Sequence, residues 1–178
     1  TKVVCMPDTS AGFHLSKTNP GKGLYILDKS EKLTDDTFEI IDVVQANDMV
    51  LASGYISPLE TMKLFGAAKD HGVRKMIVTH PEEFLEDQLK SLTTLGAYME
   101  YSFLSCMPST AKISPMGFSA QILKAGIEKS VVTTAFGQPV NPPPSEGMRM
   151  AIAALLDSGM SPKNVSSLVK DNPGELLS

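Results

Sequence analysis

Five short apolar runs, separated by helical patterns, constrain most strongly what this chain can fold into. The runs are nearly continuous in apolar character, which is typical of strands that are covered on both faces. They span residues 3–6, 49–56, 75–79, 97–104 and 130–134. Repetition of strand, helix and strand predicts an α/β fold with a parallel sheet and flanking helices.

Helix-start signals lie between these runs. Thr34 precedes two aspartates, and Ser57 precedes Pro58 and Glu60 in the pattern of a capping box. Gly72 stands where a helix that begins at Pro58 would end, and we expect Pro173 to stop the last helix. Further helix starts are expected at Pro81, Pro115, Ser145 and Pro162.

Two parallel α/β architectures compete, an open doubly wound sheet and a (β/α)8 barrel. No Gly-rich dinucleotide-binding fingerprint follows any of the runs, which favours the barrel. A closed barrel needs eight strands and about 250 residues, whereas this chain has 178 residues. We therefore expect residues 1–178 to form a single domain, a partial TIM-type barrel of about five parallel strands.

Charge and composition exclude several partners. The chain has 16 basic and 20 acidic residues and a net charge of -4, without a basic run, which argues against nucleic acid and anionic membranes. No apolar stretch approaches the roughly 18 residues of a membrane span, and we find no signal-peptide pattern. The two cysteines form no disulfide framework. We expect a cytoplasmic protein.

His80 is the strongest candidate for a functional residue. It follows the third apolar run and immediately precedes Pro81, at the end of a strand where parallel α/β folds place their sites. A neutral imidazole there can ligate a divalent metal or transfer a proton. The alternative is a histidine that caps the next helix or satisfies a buried backbone group.

Glu100 and Tyr55 are the other candidate catalytic residues. Glu100 lies in a run that is otherwise apolar, so its carboxylate needs a metal, a cation or several hydrogen-bond donors. A functional role and a structural ion pair are both open. Tyr55 follows the second run and could bind a substrate or simply cover the end of the sheet.

Other polar residues receive structural interpretations. We interpret His14 as a loop histidine and the acidic residues between 82 and 87 as a solvated helix start. Asp8 could be a ligand or part of a capped turn. Lys75 stands at the start of its run, which argues against a Schiff-base mechanism.

Six segments carry a family resemblance. They are residues 3–7, 52–57, 79–81, 96–100, 136–144 and 171–177. The chain resembles the C-terminal part of an amidohydrolase-like family of metal-dependent TIM-barrel hydrolases. The resemblance implies that the five strands are strands four to eight of a barrel. It also implies a divalent metal, zinc or similar, with His80 as the metal-ligand histidine of strand six.

The chain departs from the family pattern at three places. Tyr55 stands where the family tends to have histidine, and Ala135 stands where a carboxylate is expected after strand eight. The paired histidines of strand one have no counterpart. A catalytic zinc needs at least three protein ligands and a water, whereas only His80 and Glu100 are candidates here, so this chain could lack the metal.

The resemblance implies hydrolysis of an amide or other C–N bond in a small-molecule substrate. His80 and Glu100 would then be metal ligands, and Tyr55 would contact the substrate. The alternative is a non-catalytic, degenerate barrel subunit that pairs with another chain or an active relative. A metal-free lyase or isomerase that uses His80 and Glu100 as acid and base is a third possibility.

Exposed sheet edges predict a partner. Five strands without a closed barrel leave two edges whose backbone groups can pair with another chain. We expect a homo-oligomer, a hetero-oligomer or an N-terminal segment outside this sequence to cover them.

Overall fold

The computed structural model describes residues 1–110 and 112–178. Its sheet has the strand order β1-β2-β3-β4-β5, and β1 pairs with β2, β2 with β3, and β3 with β4, all in parallel. Each apolar run of the sequence contains one strand, so the predicted α/β fold with a parallel sheet is confirmed. The strands are β1 (Val3–Cys5), β2 (Val50–Ala52), β3 (Lys75–Val78), β4 (Tyr98–Ser102) and β5 (Ser130–Thr133).

Helices flank this sheet. The α-helices are α1 (Gly12–Ser16), α2 (Asp35–Ala46), α3 (Pro58–Asp70), α4 (Glu86–Thr94), α5 (Pro115–Ala125), α6 (Pro144–Asp157), α7 (Pro162–Ser166) and α8 (Asn172–Leu177). Short 3₁₀ turns span Pro81–Glu83 and Phe103–Cys106, and a π-helical turn spans Ser167–Asp171. Among the described residues, no helix has the length and apolar character that a membrane span requires.

The chain divides into two compact units. The first contains residues 1–99 together with Leu177, and the second contains residues 100–176 together with Ser178. The boundary falls inside β4, so Glu100 belongs to the second unit. The expectation that residues 1–178 form one domain stays a prediction.

The core of the first unit lies around β2 and β3. All three residues of β2 are buried, as are Met76 and Val78 of β3. Phe65 of α3 is fully buried. β1 differs, because Val3 is 40% exposed. The apolar run that contains β1 is therefore not covered on both faces of the sheet, because β1 is an edge strand.

The core of the second unit combines β5 with helices α5 and α6. Val131 and Val132 are buried, together with Phe118 of α5 and Leu155 of α6. Asn172 is also buried and donates hydrogen bonds to the carbonyl oxygens of Ile127 and Ser130, at 2.7 Å and 2.6 Å. This amide satisfies backbone acceptors that burial would otherwise leave unpaired.

The capping box that the sequence predicts at α3 is present. The Ser57 side chain accepts a hydrogen bond from the Glu60 backbone N–H at 3.2 Å, and the Ser57 backbone N–H donates to the Glu60 carboxylate at 2.8 Å. Gly72 follows α3 with a φ of 86°, as expected at a helix end. At Pro81 the chain forms a 3₁₀ turn, and α4 begins only at Glu86.

The expectation that Pro173 stops the last helix is wrong. The chain stays helical through the π-helical turn Ser167–Asp171 and continues as α8 (Asn172–Leu177). Pro173 lies in the first turn of α8, directly after the π-helical turn, so its missing N–H falls where the regular hydrogen-bond pattern of the α-helix is already interrupted. The wider π turn ends one helical segment, so the proline falls at the start of the next.

Candidate functional site

The ends of β1 and β2 are tied together by a glycine. Gly54 has a φ of 63°, and a Cβ at this position would lie 2.5 Å from the carbonyl oxygen of Pro7. The next residue, Tyr55, donates its backbone N–H to the same oxygen at 2.9 Å. Since no larger residue fits there, the glycine determines where Tyr55 leaves the sheet.

The ends of β2 and β3 are tied together by two hydroxyl groups. The Ser53 hydroxyl oxygen accepts a hydrogen bond from the Thr79 backbone N–H at 3.1 Å, and the Thr79 hydroxyl donates to the Gly54 carbonyl at 2.7 Å. Ser53 is buried, with 1% of its surface exposed. These bonds fix the residues immediately before Tyr55 and His80.

Tyr55 and His80 are in direct contact. Their rings stack with centroids 3.9 Å apart and planes 15° apart. The His80 side chain keeps 30% of its surface exposed, so it is accessible from solvent. The structure thus brings together two of the three candidate catalytic residues that the sequence indicates.

A carboxylate lies beside each ring nitrogen of His80. Glu82 Oε1 is 3.4 Å from Nδ1, and Asp8 Oδ1 is 3.7 Å from Nε2. The His80 side chain makes no capping hydrogen bond to the 3₁₀ turn that follows it, so the interpretation as a helix cap is wrong. An imidazole between two carboxylates is suited to holding or transferring a proton.

The Tyr55 hydroxyl belongs to a charged cluster with Lys17 and Glu83. It donates a hydrogen bond to Glu83 Oε1 at 2.7 Å, and the Lys17 ammonium binds the same oxygen at 2.6 Å. Lys17 also lies 3.4 Å from the Tyr55 hydroxyl. We call Lys17, Tyr55 and Glu83 the tyrosine cluster.

Burial and hydrogen bonding shift the pKa values within the tyrosine cluster. Burial, followed by the hydrogen bond to Glu83, raises the pKa of Tyr55 above its ordinary value. Burial also acts to raise the pKa of Glu83, but hydrogen bonds from Lys17 and Tyr55 outweigh it and the pKa is lowered. The bond to Glu83 raises the pKa of Lys17. At neutral pH the cluster therefore contains a carboxylate, an ammonium and a neutral phenol.

The short helix α1 adds a second histidine. The ring of His14 lies 4.6 Å from that of Tyr55, centroid to centroid. Its Nδ1 atom is buried and has no hydrogen-bond partner among the described residues. The sequence interpretation as a loop histidine is wrong, because His14 lies in α1 (Gly12–Ser16).

Sequence reasoning missed Lys17 and Glu83. The acidic residues after His80 suggested a solvated helix start, yet only 23% of the Glu83 side chain is exposed. The sequence pattern that could have indicated both residues is their spacing from the two histidines. Glu83 follows His80 by three residues, as Lys17 follows His14, and residues three apart lie on one face of a helical turn.

Glu100 lies on β4 in the second unit. Its Oε1 accepts a hydrogen bond from the Thr133 hydroxyl at 2.7 Å, and its residue surface is half-buried between the buried Met99 and Tyr101. A carboxylate in this strand needs hydrogen-bond donors, and the Thr133 hydroxyl on the neighbouring β5 is one of them.

The described residues provide no complete metal site. They contain no group of three or more His, Cys, Asp or Glu side chains that could hold a metal ion. The predicted ligands His80 and Glu100 are two donors in different units, whereas a catalytic zinc needs at least three protein ligands. Residues 1–110 and 112–178 by themselves do not fit a resident catalytic metal.

The end of β5 has a strained backbone. Ala135 adopts a φ of 52°, a left-handed conformation that alanine rarely takes. The next residue, Phe136, donates its backbone N–H to the Thr134 hydroxyl at 3.4 Å. The family resemblance implies a carboxylate at this position. The residue present is an alanine, with only a methyl group as its side chain.

Comparison with known proteins assigns a family to most of the first unit. The model of a family of unknown function, DUF6282, matches residues 1–100, which is more than half of the 178 residues. The matched region contains His80, His14 and the tyrosine cluster. No curated protein matches the chain.

Proposed function

The chain belongs to the DUF6282 family, whose function is unknown, and we propose from its own residues that it hydrolyses an amide or other C–N bond in a small molecule. The observation that supports this most directly is His80, which lies at the end of β3 with a carboxylate beside each ring nitrogen. Reactions in parallel α/β folds take place at the carboxyl ends of strands. The resemblance to amidohydrolase-like proteins supports the choice of bond.

His80 is the proton-transferring residue in this proposal. Glu82 accepts a hydrogen bond from Nδ1–H, which leaves Nε2 as the base. Nε2 takes a proton from water while the water oxygen bonds to the carbonyl carbon. The same proton then passes to the leaving nitrogen as the C–N bond breaks. The nearby charge of Asp8 stabilises the imidazolium that forms in between.

Tyr55 holds the imidazole in place and supplies polar groups near it. Its ring packs flat on His80, while Glu83 and Lys17 fix its hydroxyl. The Lys17 side chain is 46% exposed. Its ammonium has N–H donors beyond the one bound to Glu83 and would stabilise negative charge on the substrate oxygen, whereas the single O–H of Tyr55 is already donated to Glu83.

The barrel and the metal remain parts of the proposal. Sequential strand order supports a partial (β/α)8 barrel made of strands four to eight, because an open doubly wound sheet reverses its order at a switch point. A metal held partly by His80 or by Glu100 would require further ligands from outside the residues that the structure describes. We therefore derive no step through a metal.

The test is hydrolysis of lactams and N-acylated amines, followed by proton NMR with and without added zinc. We expect turnover by the wild type and a loss of about 100-fold in His80→Gln. The matched control is His71→Gln, because His71 follows α3 and its side chain contacts Asp42 and Phe38, away from the proposed site. Equal rates in wild type and His80→Gln, or no hydrolysis at all, would contradict the proposal.

A non-catalytic subunit is the second candidate function. Ala135 favours it, since a methyl group cannot ligate a metal or transfer the proton of an attacking water. The flat stacking of Tyr55 on His80 also leaves one face of the imidazole closed to a substrate. This candidate predicts a stable complex and no turnover.

A further inference from the structure

The first unit contains a cavity away from His80, which we propose binds a small organic ammonium ion. The cavity has a volume of about 290 Å³, the size of a site for a small ligand. It lies where α1, the segment 25–28 and the start of α3 meet, and the hydrolysis proposed for His80 does not use it. Its lining residues are Gly12, Phe13, Ser16, Tyr25, Leu27, Asp28, Ser57 and Glu60.

The charge of this cavity is negative. Glu60 is 4% exposed, and its carboxylate accepts hydrogen bonds from the backbone N–H groups of Ile26 and Ser57, at 3.1 Å and 2.8 Å. Asp28 is exposed. Among the described residues that line the cavity there is no lysine, arginine or histidine, so the charge of the lining favours a cation over an anion.

Asp28 stays ionised and keeps one oxygen available. The backbone N–H groups of Lys32 and Ser30 donate to its Oδ1 at 3.0 Å and 2.7 Å, and these two bonds hold the pKa of the carboxyl below its ordinary value. Both bonds fall on Oδ1, so Oδ2 can face a ligand. The nearby Lys63 ammonium binds the carbonyl and carboxylate oxygens of Glu31.

The larger apolar side chains of the lining are those of Tyr25, Phe13 and Leu27. Tyr25 is 52% exposed, and its ring packs so closely on Gly12 that a Cβ there would overlap it. Phe13, the next residue of α1, also lines the cavity, but the Lys17 ammonium already lies 5.1 Å from the centroid of its ring, so Tyr25 is the ring that a ligand cation would meet. Aromatic faces attract cations, and they attract weakly hydrated alkylammonium ions in particular.

The combination favours an organic cation over a metal ion. The described residues hold no group of three or more metal-ligating side chains, and two of the lining side chains are aromatic hydrocarbon faces. A lining that combines carboxylates with aromatic side chains matches a positively charged nitrogen that carries alkyl groups. The ligand is therefore a quaternary alkylammonium compound.

The test compares choline with its neutral carbon isostere, 3,3-dimethylbutan-1-ol, at constant ionic strength. Titration is followed by NMR of the Tyr25 ring and of the backbone amides between residues 24 and 28. We expect saturable choline binding with a Kd below about 10 mM, and binding of the isostere that is roughly tenfold weaker. Equal shifts with both compounds, or no saturable shift, would overturn the proposal.

Two variants test the walls separately. Tyr25→Leu removes a ring and Asp28→Asn removes a charge while keeping an oxygen for the backbone bonds, and each should weaken choline binding by roughly three- to tenfold. Asp157→Asn removes an equally exposed charge at the end of α6 and should leave binding unchanged. Unchanged binding in both cavity variants, with amide spectra that show a folded chain, would also overturn the proposal.

Discussion

At the residue scale, the tyrosine cluster shows why a candidate site is only partly predictable from sequence. His80 and Tyr55 follow apolar runs, so their position at strand ends could be predicted from local pattern. Lys17 is 66 residues from Glu83 in the chain. Their ion pair depends on how α1 folds over the strand ends, which no local pattern indicates.

Glu83 should stabilise the fold in a pH-dependent way. Its pKa is lowered in the folded chain, so the stabilisation is fully present above the unfolded value near 4.5 and is lost as pH falls through the folded pKa. We expect Glu83→Gln to lower the free energy of unfolding by about 1 kcal/mol at pH 7. Urea unfolding at several pH values measures this.

The difference between wild type and Glu83→Gln should shrink as the pH falls below 4.5, because the carboxyl of the unfolded chain takes up a proton first, and it should vanish once the pH lies below the folded pKa. Glu39→Gln is the matched control, because Glu39 is an exposed residue in the middle of α2. A difference that stays constant from pH 7 to pH 3, or that equals the effect of Glu39→Gln, would show that Glu83 does not act through its charge.

At the element scale, the strands and several helix ends were predictable because their signals are local. The capping box at Ser57 and the glycine after α3 act within a few residues of the ends that they determine. Helix α1 and the continuation past Pro173 were missed for a different reason. α1 has only five residues, too few for a periodic pattern, and a π turn leaves no capping or periodic pattern in the sequence.

The connection between β1 and β2 depends on Gly54. Gly54→Ala would place a methyl group against the Pro7 carbonyl at a φ of 63°, so we expect a loss of at least about 2 kcal/mol in the free energy of unfolding. Thermal unfolding measures the loss. The control is Gly66→Ala in α3, where a Cβ meets nothing within 4 Å and helix propensity predicts a gain of about 0.5–1 kcal/mol.

Similar stability in the two alanine variants would show that the ends of β1 and β2 can move apart at little cost in free energy. Gly54 would then not determine the position of Tyr55. If Gly54→Ala folds, its hydrolysis rate should fall with its stability, because the residue acts only through the position of Tyr55. A stable Gly54→Ala variant with a wild-type rate would contradict this link between the strand ends and the site.

At the scale of the whole molecule, the exposed edge of β1 is the feature of the fold that predicts a partner chain. β1 is first in the strand order, and it presents Val3 with 40% of its surface exposed. An apolar residue on an edge strand invites pairing with another chain, and natural edges often carry lysine to prevent it. If the barrel is partial, both proposed functions, the hydrolase and the non-catalytic subunit, require another chain or segment to cover this edge.

We therefore expect the chain to self-associate through β1 when no other partner is present. Light scattering over a range of concentrations should show a dimer or larger species, and Val3→Lys should raise its dissociation constant at least about tenfold. Val43→Lys is the control, because Val43 is 54% exposed on α2. A monomer at every concentration would mean that β1 tolerates solvent as it stands. Equal effects of the two lysines would place the contact elsewhere than the sheet edge.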